Sequence, residues 1–182
     1  MIEIISGCLP QETNTRIIHL LINEAKWSIA GDTTKPAVKK YMSREKGKDA
    51  GFSYLTYDYY NNINVLTSLN VYANIIHDFV RANTKIYKIK NPVRYLWNYY
   101  NKGSGGDWHI DNGKDPQGKY MTIVYSLNYC DGGTSVKTSK EEKYSQSKPS
   151  EAVCFPGNFL HKGHGPKKYL GRFNLTMLSL GE

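Results

Sequence analysis

The sequence predicts an α+β protein, with two amphipathic helices in its first half followed by a barrel or sandwich of short strands. Three observations carry this. Apolar residues recur at helical spacing in two early segments. After Pro92 the pattern changes to short β-prone runs separated by glycine-rich turns. No βαβ alternation, repeat or low-complexity linker divides the 182 residues, a length suited to one domain.

The first helix is expected over 14–26, where Ile17, Ile18, Leu21, Ile22 and Ala25 fall on one face and Pro10 suits the approach to a helix start. Residues 31–62 are polar and irregular and end in the aromatic cluster Phe52, Tyr54, Tyr57, Tyr59 and Tyr60. The stretch 35–62 is a candidate lid over a cavity mouth; the plainer reading is a surface excursion packed on the helices. A second helix is expected over 64–83, with Val65, Leu66, Leu69, Tyr72, Ile75, Ile76, Phe79 and Val80 spaced close to 3.6 residues. Strands are then expected at 93–100, 108–112, 119–128, 151–156 and 171–180, with turns at 103–106, 131–133 and 156–157. The division is a helical part over 1–90 and a barrel core over 91–182, within one domain.

Composition excludes several classes. The chain is 40% apolar and 22% charged, which supports a core and argues against charge-driven disorder. No apolar run approaches the roughly 20 residues of a membrane span, and the start MIEIISGCLP has no cationic opening of the secretory kind. Cys8, Cys130 and Cys154 are an odd, widely spaced set with no C-x-x-C pair, so free thiols in a reducing, cytoplasmic setting are expected, that of the host cell if the chain is viral. The net charge of +8 is compatible with an anionic partner, but the cations are dispersed and form no run of five, so nucleic-acid binding has no supporting motif.

The sharpest chemical signal is Trp108-His109-Ile110-Asp111. On a strand, positions i and i+2 share a face, so His109 and Asp111 aim together. An imidazole and a carboxylate side by side are two facial ligands for a divalent metal, and a second histidine completes the two-His-one-carboxylate set of non-haem Fe(II) sites. The C-terminal stretch offers His161 and His164, followed by the alternation Arg172, Asn174, Thr176 against Phe173, Leu175, Met177. In a barrel with a ligand in its mouth, the polar set lines the cavity, where an arginine fork suits a carboxylate.

H-x-D, a distal histidine and an arginine about ten residues later resemble the 2-oxoglutarate and Fe(II)-dependent dioxygenases, and among them the compact bacterial and viral prolyl-4-hydroxylase-like members. The resemblance covers roughly 93–180. It extends to Tyr99, ten residues before His109, to Tyr125, sixteen residues after it, and to the SerLeuAsnTyr run with its AspGlyGly turn. It implies a double-stranded β-helix, or jelly roll, with the N-terminal helices packed on it. It implies Fe(II), 2-oxoglutarate and O2, with ascorbate as reductant, and hydroxylation of a substrate C–H with release of succinate and CO2. By the same resemblance, His109 and Asp111 are iron ligands and His161 or His164 is the third, His161 fitting the apolar-then-His pattern better. Arg172 and Tyr125 would hold the distal carboxylate of 2-oxoglutarate, Tyr99 its keto-acid end, and Thr176 the pocket wall. The implied substrate is a peptidyl residue such as proline. A nucleobase or small-molecule oxygenase and a non-catalytic metal- or ligand-binding barrel are the alternatives.

Overall fold

The pleat of the strands explains the architecture, because each long strand carries apolar residues on one face and polar residues on the other. The computed structural model describes residues 1–29, 51–111, 119–138 and 140–182. Its elements run β1 (Glu3–Ser6), α1 (Gln11–Glu24), β2 (Ser28–Ile29), β3 (Phe52–Asp58), β4 (Ile63–Asn64) and α2 (Ser68–Asn83). They continue with β5 (Ile89–Asn101), β6 (Tyr120–Ser126), β7 (Gly133–Lys137), β8 (Glu142–Gln146), β9 (Glu151–Pro156), β10 (His161–His164) and β11 (Gly171–Gly181).

Two antiparallel sheets face each other as a jelly roll. The large sheet is ordered β1-β9-β6-β11-β5-β3-β2, with β4 attached to β3, and the small sheet is β10-β7-β8. β11 is central, pairing with β5 on one side and β6 on the other. Its register sets Arg172 opposite Tyr100, Asn174 opposite Asn98 and Thr176 opposite Leu96.

Both helices cover one face of the large sheet. Pro10 precedes α1 in extended backbone, and Thr67 caps α2 by accepting from the Leu69 N–H. Ile17 and Leu21 of α1 and Leu69, Ala73, Ile76 and Val80 of α2 are fully or almost fully buried with Trp97, Ile123, Leu175 and Met177. Two buried polar groups inside this layer are satisfied. The Tyr125 hydroxyl donates to Asn14 Oδ1 at 2.6 Å, and His77 Nε2 pairs with Ser179 Oγ at 3.0 Å. A smaller cluster of Val124, Val136, Val153 and Phe155 closes the space between the sheets.

Both expected helices are present, as are the strands at 93–100, 119–128, 151–156 and 171–180. The segment 108–112 makes no strand; within its described part, His109 forms a single antiparallel bridge with His161. The first ninety residues contribute β1 to β4 as well as helices, so the large sheet draws on both halves of the chain. Of the candidate lid, 35–50 lies outside the described residues, while 52–58 is β3, hydrogen-bonded along β5 and therefore part of the sheet. The three cysteines are free and buried, and among the described residues no helix is long and apolar enough to cross a membrane.

Leu175 is fully buried at the centre of the helix-covered layer. Leu175→Ala should lower the unfolding free energy by about 2–5 kcal/mol, read by urea denaturation, as expected for a cavity opened in a packed core.

Candidate active site

β10 and the segment before Asp111 bring the metal-binding types together. His109 and His161 exchange backbone hydrogen bonds at 3.0 and 2.9 Å, which sets their rings 4.3 Å apart. Asp111, two residues on from His109, places Oδ1 3.9 Å from His109 Nε2 and Oδ2 3.5 Å from His161 Nε2. One ligand atom from each of the three lies within 4.8 Å of the others. Each imidazole is also held from behind. His109 Nδ1 meets the Asp107 carbonyl at 2.8 Å and His161 Nδ1 the Phe159 carbonyl at 2.9 Å. A carbonyl only accepts, so both Nδ1 atoms carry the proton and both Nε2 lone pairs point into the cluster.

The carboxylate of Asp111 is buried and held at both oxygens. Arg94 Nη2 is 3.1 Å from Oδ1, and Thr122 Oγ1 donates to Oδ2 at 2.7 Å. Burial works against its charge, but His161, Arg94 and His109, with the Thr122 hydrogen bond, hold its carboxyl well below the usual carboxylate range. Burial pushes the His161 imidazole down to about 4, against the opposing pull of Asp111. The cluster therefore offers two imidazole Nε2 lone pairs and one carboxylate, a donor set suited to Fe(II).

A cavity of about 70 Å³ runs from this cluster to Arg172, between Leu96, Tyr100, Thr134 and Gly163. Arg172 is 1% exposed. Its Nη1 donates to the Gly133 carbonyl and its Nη2 to Thr134 Oγ1 at 2.9 Å, and its guanidinium lies 5.7 Å from the Tyr100 ring centre. Nε is buried without a partner, and among the described residues no carboxylate pairs with the group. Burial lowers its pKa from the ordinary arginine value, yet a guanidinium stays protonated in any ordinary solvent. A cation desolvated without a counter-charge among the described residues calls for an anion. Between the two ends, Ser53, Asn98, Asn174 and Thr176 form a hydrogen-bonded ladder, with Asn98 Nδ2 3.1 Å from both Asn174 Oδ1 and Thr176 Oγ1.

His109, Asp111, His161, Arg172 and Thr176 thus line one cavity. His164 does not join them; three residues beyond His161, its Nε2 pairs with Ser135 Oγ at 2.9 Å. Tyr125 and Tyr99 are corrections. Thr122 bonds Asp111 and Val124 lines the cavity, so Tyr125 points to the opposite face, where it bonds Asn14. Asn98 and Tyr100 line the cavity, so Tyr99 turns to the helix side and packs 4.6 Å from Phe173. Its neighbour Tyr100 lines the cavity instead, at the Arg172 end, with Gly163 against it; a Cβ on Gly163 would lie 2.7 Å from the Tyr100 hydroxyl. Sequence reasoning also missed Arg94, Thr122 and Thr134. Strand parity was the available signal, since Arg172 facing the cavity forces its register partners on β5 to be even-numbered.

No sequence-family model matches the chain, and no curated protein matches it in sequence. Solved structures do resemble it. A Pseudomonas putida prolyl-4-hydroxylase superposes with a TM-score of 0.63 at 10% identity, covering 100% of this chain and 92% of that one. A 2OG-Fe(II) oxygenase family oxidoreductase from Burkholderia pseudomallei gives 0.71 at 12%, covering 98% and 84%. A Trichoplax adhaerens prolyl hydroxylase, in complex with a peptide fragment of the hypoxia inducible factor oxygen degradation domain, gives 0.60 at 14%, covering 98% and 83%. The chain therefore has the fold of the 2OG-Fe(II) oxygenases, and within that fold it is similar to the prolyl hydroxylases.

Two outcomes follow from this geometry. Tyr125→Phe should cost about 1–2 kcal/mol of stability in denaturant titration, because Asn14 Oδ1 loses its donor inside the core, and should leave any ligand affinity of the cavity unchanged. His161 has a folded pKa below its unfolded one, so the unfolded state binds more protons between about 6.5 and about 4. Stability of the metal-free protein should therefore fall as pH drops through that window, and His161→Gln should flatten the slope between pH 7 and pH 5.

Proposed function

We propose that the chain is a 2-oxoglutarate- and Fe(II)-dependent oxygenase that hydroxylates a peptidyl residue, proline being the first candidate. The observation that carries this reading is the pairing, in one cavity, of the His109–Asp111–His161 cluster with a buried arginine that has no carboxylate partner among the described residues. The fold likeness supports it, and the peptide seen with the Trichoplax prolyl hydroxylase supports a peptide substrate.

The residues divide the work. His109 and His161 would hold Fe(II) through Nε2, with the Asp107 and Phe159 carbonyls fixing their rings. Asp111 would supply the third ligand. Three ligands on one face leave open positions for the co-reactants. Arg172 would take the distal carboxylate of 2-oxoglutarate, presenting its unpartnered Nε to it. Tyr100 and Thr134 wall that end, and Thr176 with the asparagine ladder forms the floor between. Bound Fe(II) with 2-oxoglutarate and O2 supplies oxidative decarboxylation to succinate and CO2, coupled to insertion of one oxygen atom into a substrate C–H bond. The chain contributes binding, orientation and exclusion of water around that chemistry.

Succinate release with Fe(II), 2-oxoglutarate and ascorbate tests the reading, followed by a peptide and oligonucleotide screen for a product heavier by one oxygen. His109→Ala and Asp111→Ala should abolish succinate formation while circular dichroism stays native; turnover retained in either removes the metal assignment. Arg172→Lys keeps the charge and loses the fork. It should weaken apparent 2-oxoglutarate affinity by roughly 10- to 150-fold, the equivalent of a charge-assisted bidentate contact, while Fe(II) affinity is unchanged.

A further inference from the structure

Asp111 answers to a cation that ligation does not require. Arg94 and Thr122 are both register partners of Leu178, on β5 and β6, so the two side chains stand on one face of the sheet either side of β11. From there they grip the two oxygens of the same carboxylate, Arg94 at 3.1 Å and Thr122 at 2.7 Å. Nothing else among the described residues balances the guanidinium. Its side chain is 24% exposed, its Nε is buried without a partner, and Asp111 is its only ion-pair partner among the described residues. Asp58 faces Arg94 across the β3–β5 ladder, but its carboxylate is turned to the backbone and side-chain amides of Asn61.

We propose that Arg94 is a positioning residue whose fixed positive charge, applied through Asp111, biases the metal centre towards the divalent over the trivalent state. The inference rests on the oxygenase reading above. A carboxylate shared between a guanidinium and a metal donates less electron density to the metal than one bonded to neutral donors. The guanidinium also repels a trivalent ion by one charge more than a divalent ion. Loss of one electron from Fe(II) to O2, outside productive turnover, is thereby disfavoured, and its reversal by ascorbate is favoured. Thr122 makes a neutral contact to the same carboxylate and carries no such bias, which separates charge from orientation.

The test uses the full chain as wild type, Arg94→Gln, Arg94→Lys and Thr122→Val, with two readouts besides activity. One is Mn(II) affinity by electron paramagnetic resonance; the other is the midpoint potential of the iron-loaded protein by mediated spectroelectrochemistry. Arg94→Gln should bind Mn(II) as tightly as wild type or tighter. Its midpoint potential should fall by about 59 mV or more, a tenfold gain in the preference for Fe(III). Arg94→Lys restores the charge and should stay within about threefold of the wild-type preference, which is roughly 30 mV on the same one-electron scale; so should Thr122→Val. An unmoved potential in Arg94→Gln overturns the proposal, and so does an equal fall in Thr122→Val, which would assign the effect to hydrogen bonding. Failure of both Arg94→Gln and Arg94→Lys to fold would make Arg94 a structural residue and overturn it too. Failure of the wild type to bind Mn(II) or Fe(II) would instead remove the metal reading on which the proposal stands.

Discussion

The constraint on which the molecule depends is the two-residue pleat of β11 and its register with β5 and β6. Phe173, Leu175 and Met177 enter the layer covered by α1 and α2, while Arg172, Asn174 and Thr176 enter the cavity. A slip of one residue would bury the guanidinium among the helices and turn Leu175 into the cavity, so the register is strongly specified. The same parity propagates sideways. Tyr100 faces the cavity because Arg172 does, and Tyr125 faces the helices because Leu175, its register partner, does. The site is thus the polar face of a sheet whose dry face supplies the folding energy.

Three charges are buried or half-buried in that polar face, each compensated differently. Asp111 has two imidazoles, a guanidinium and a hydroxyl around it. Arg94 has Asp111 alone among the described residues. Arg172 has two carbonyls, a hydroxyl and the face of Tyr100, but no anion among the described residues. Desolvating a charge is costly unless it is paired and hydrogen-bonded, and of the three Arg172 is the one without a counter-charge among the described residues. The neutral ladder from Ser53 to Thr176 is satisfied internally and keeps the floor between the charges in a single arrangement.

Much of this was legible in the sequence. Both helices showed their 3.6-residue period, and H-x-D with a distal histidine and an alternating Arg-Asn-Thr set located the cavity. Other features were hidden for physical reasons. β1, β7, β8 and β10 are four or five residues long, too short for a period to emerge. β3 was masked by its aromatics, which read as an irregular cluster until pairing with β5 shows them alternating across the sheet. The resemblance points to Tyr99 and not Tyr100 because a spacing in sequence carries no parity; only the pairing with Phe173 fixes which of two adjacent tyrosines faces inward. Arg94 and Thr122 lie seventeen and eleven residues from Asp111, on strands that meet it only in three dimensions.

The distribution of the cluster over the fold has a consequence for stability. His161 lies on the small sheet, His109 is tied to it by one bridge, and the groups that hold Asp111, Arg94 and Thr122, stand on the large sheet. A cation bound by the three ligands would therefore fasten the two sheets together at the end of the cavity opposite Arg172. An anion on Arg172 would do the same at the other end, since Arg172 already reaches from β11 to Gly133 and Thr134 of β7. These two polar junctions join the small sheet to the large one, beside the small cluster around Val136 and Phe155 and the close approach of Gly163 to Tyr100. Ligands that bind only the folded form stabilise it by mass action. In this architecture that stabilisation falls on the join between the sheets, so the geometry the ligands need is also the geometry that they reinforce.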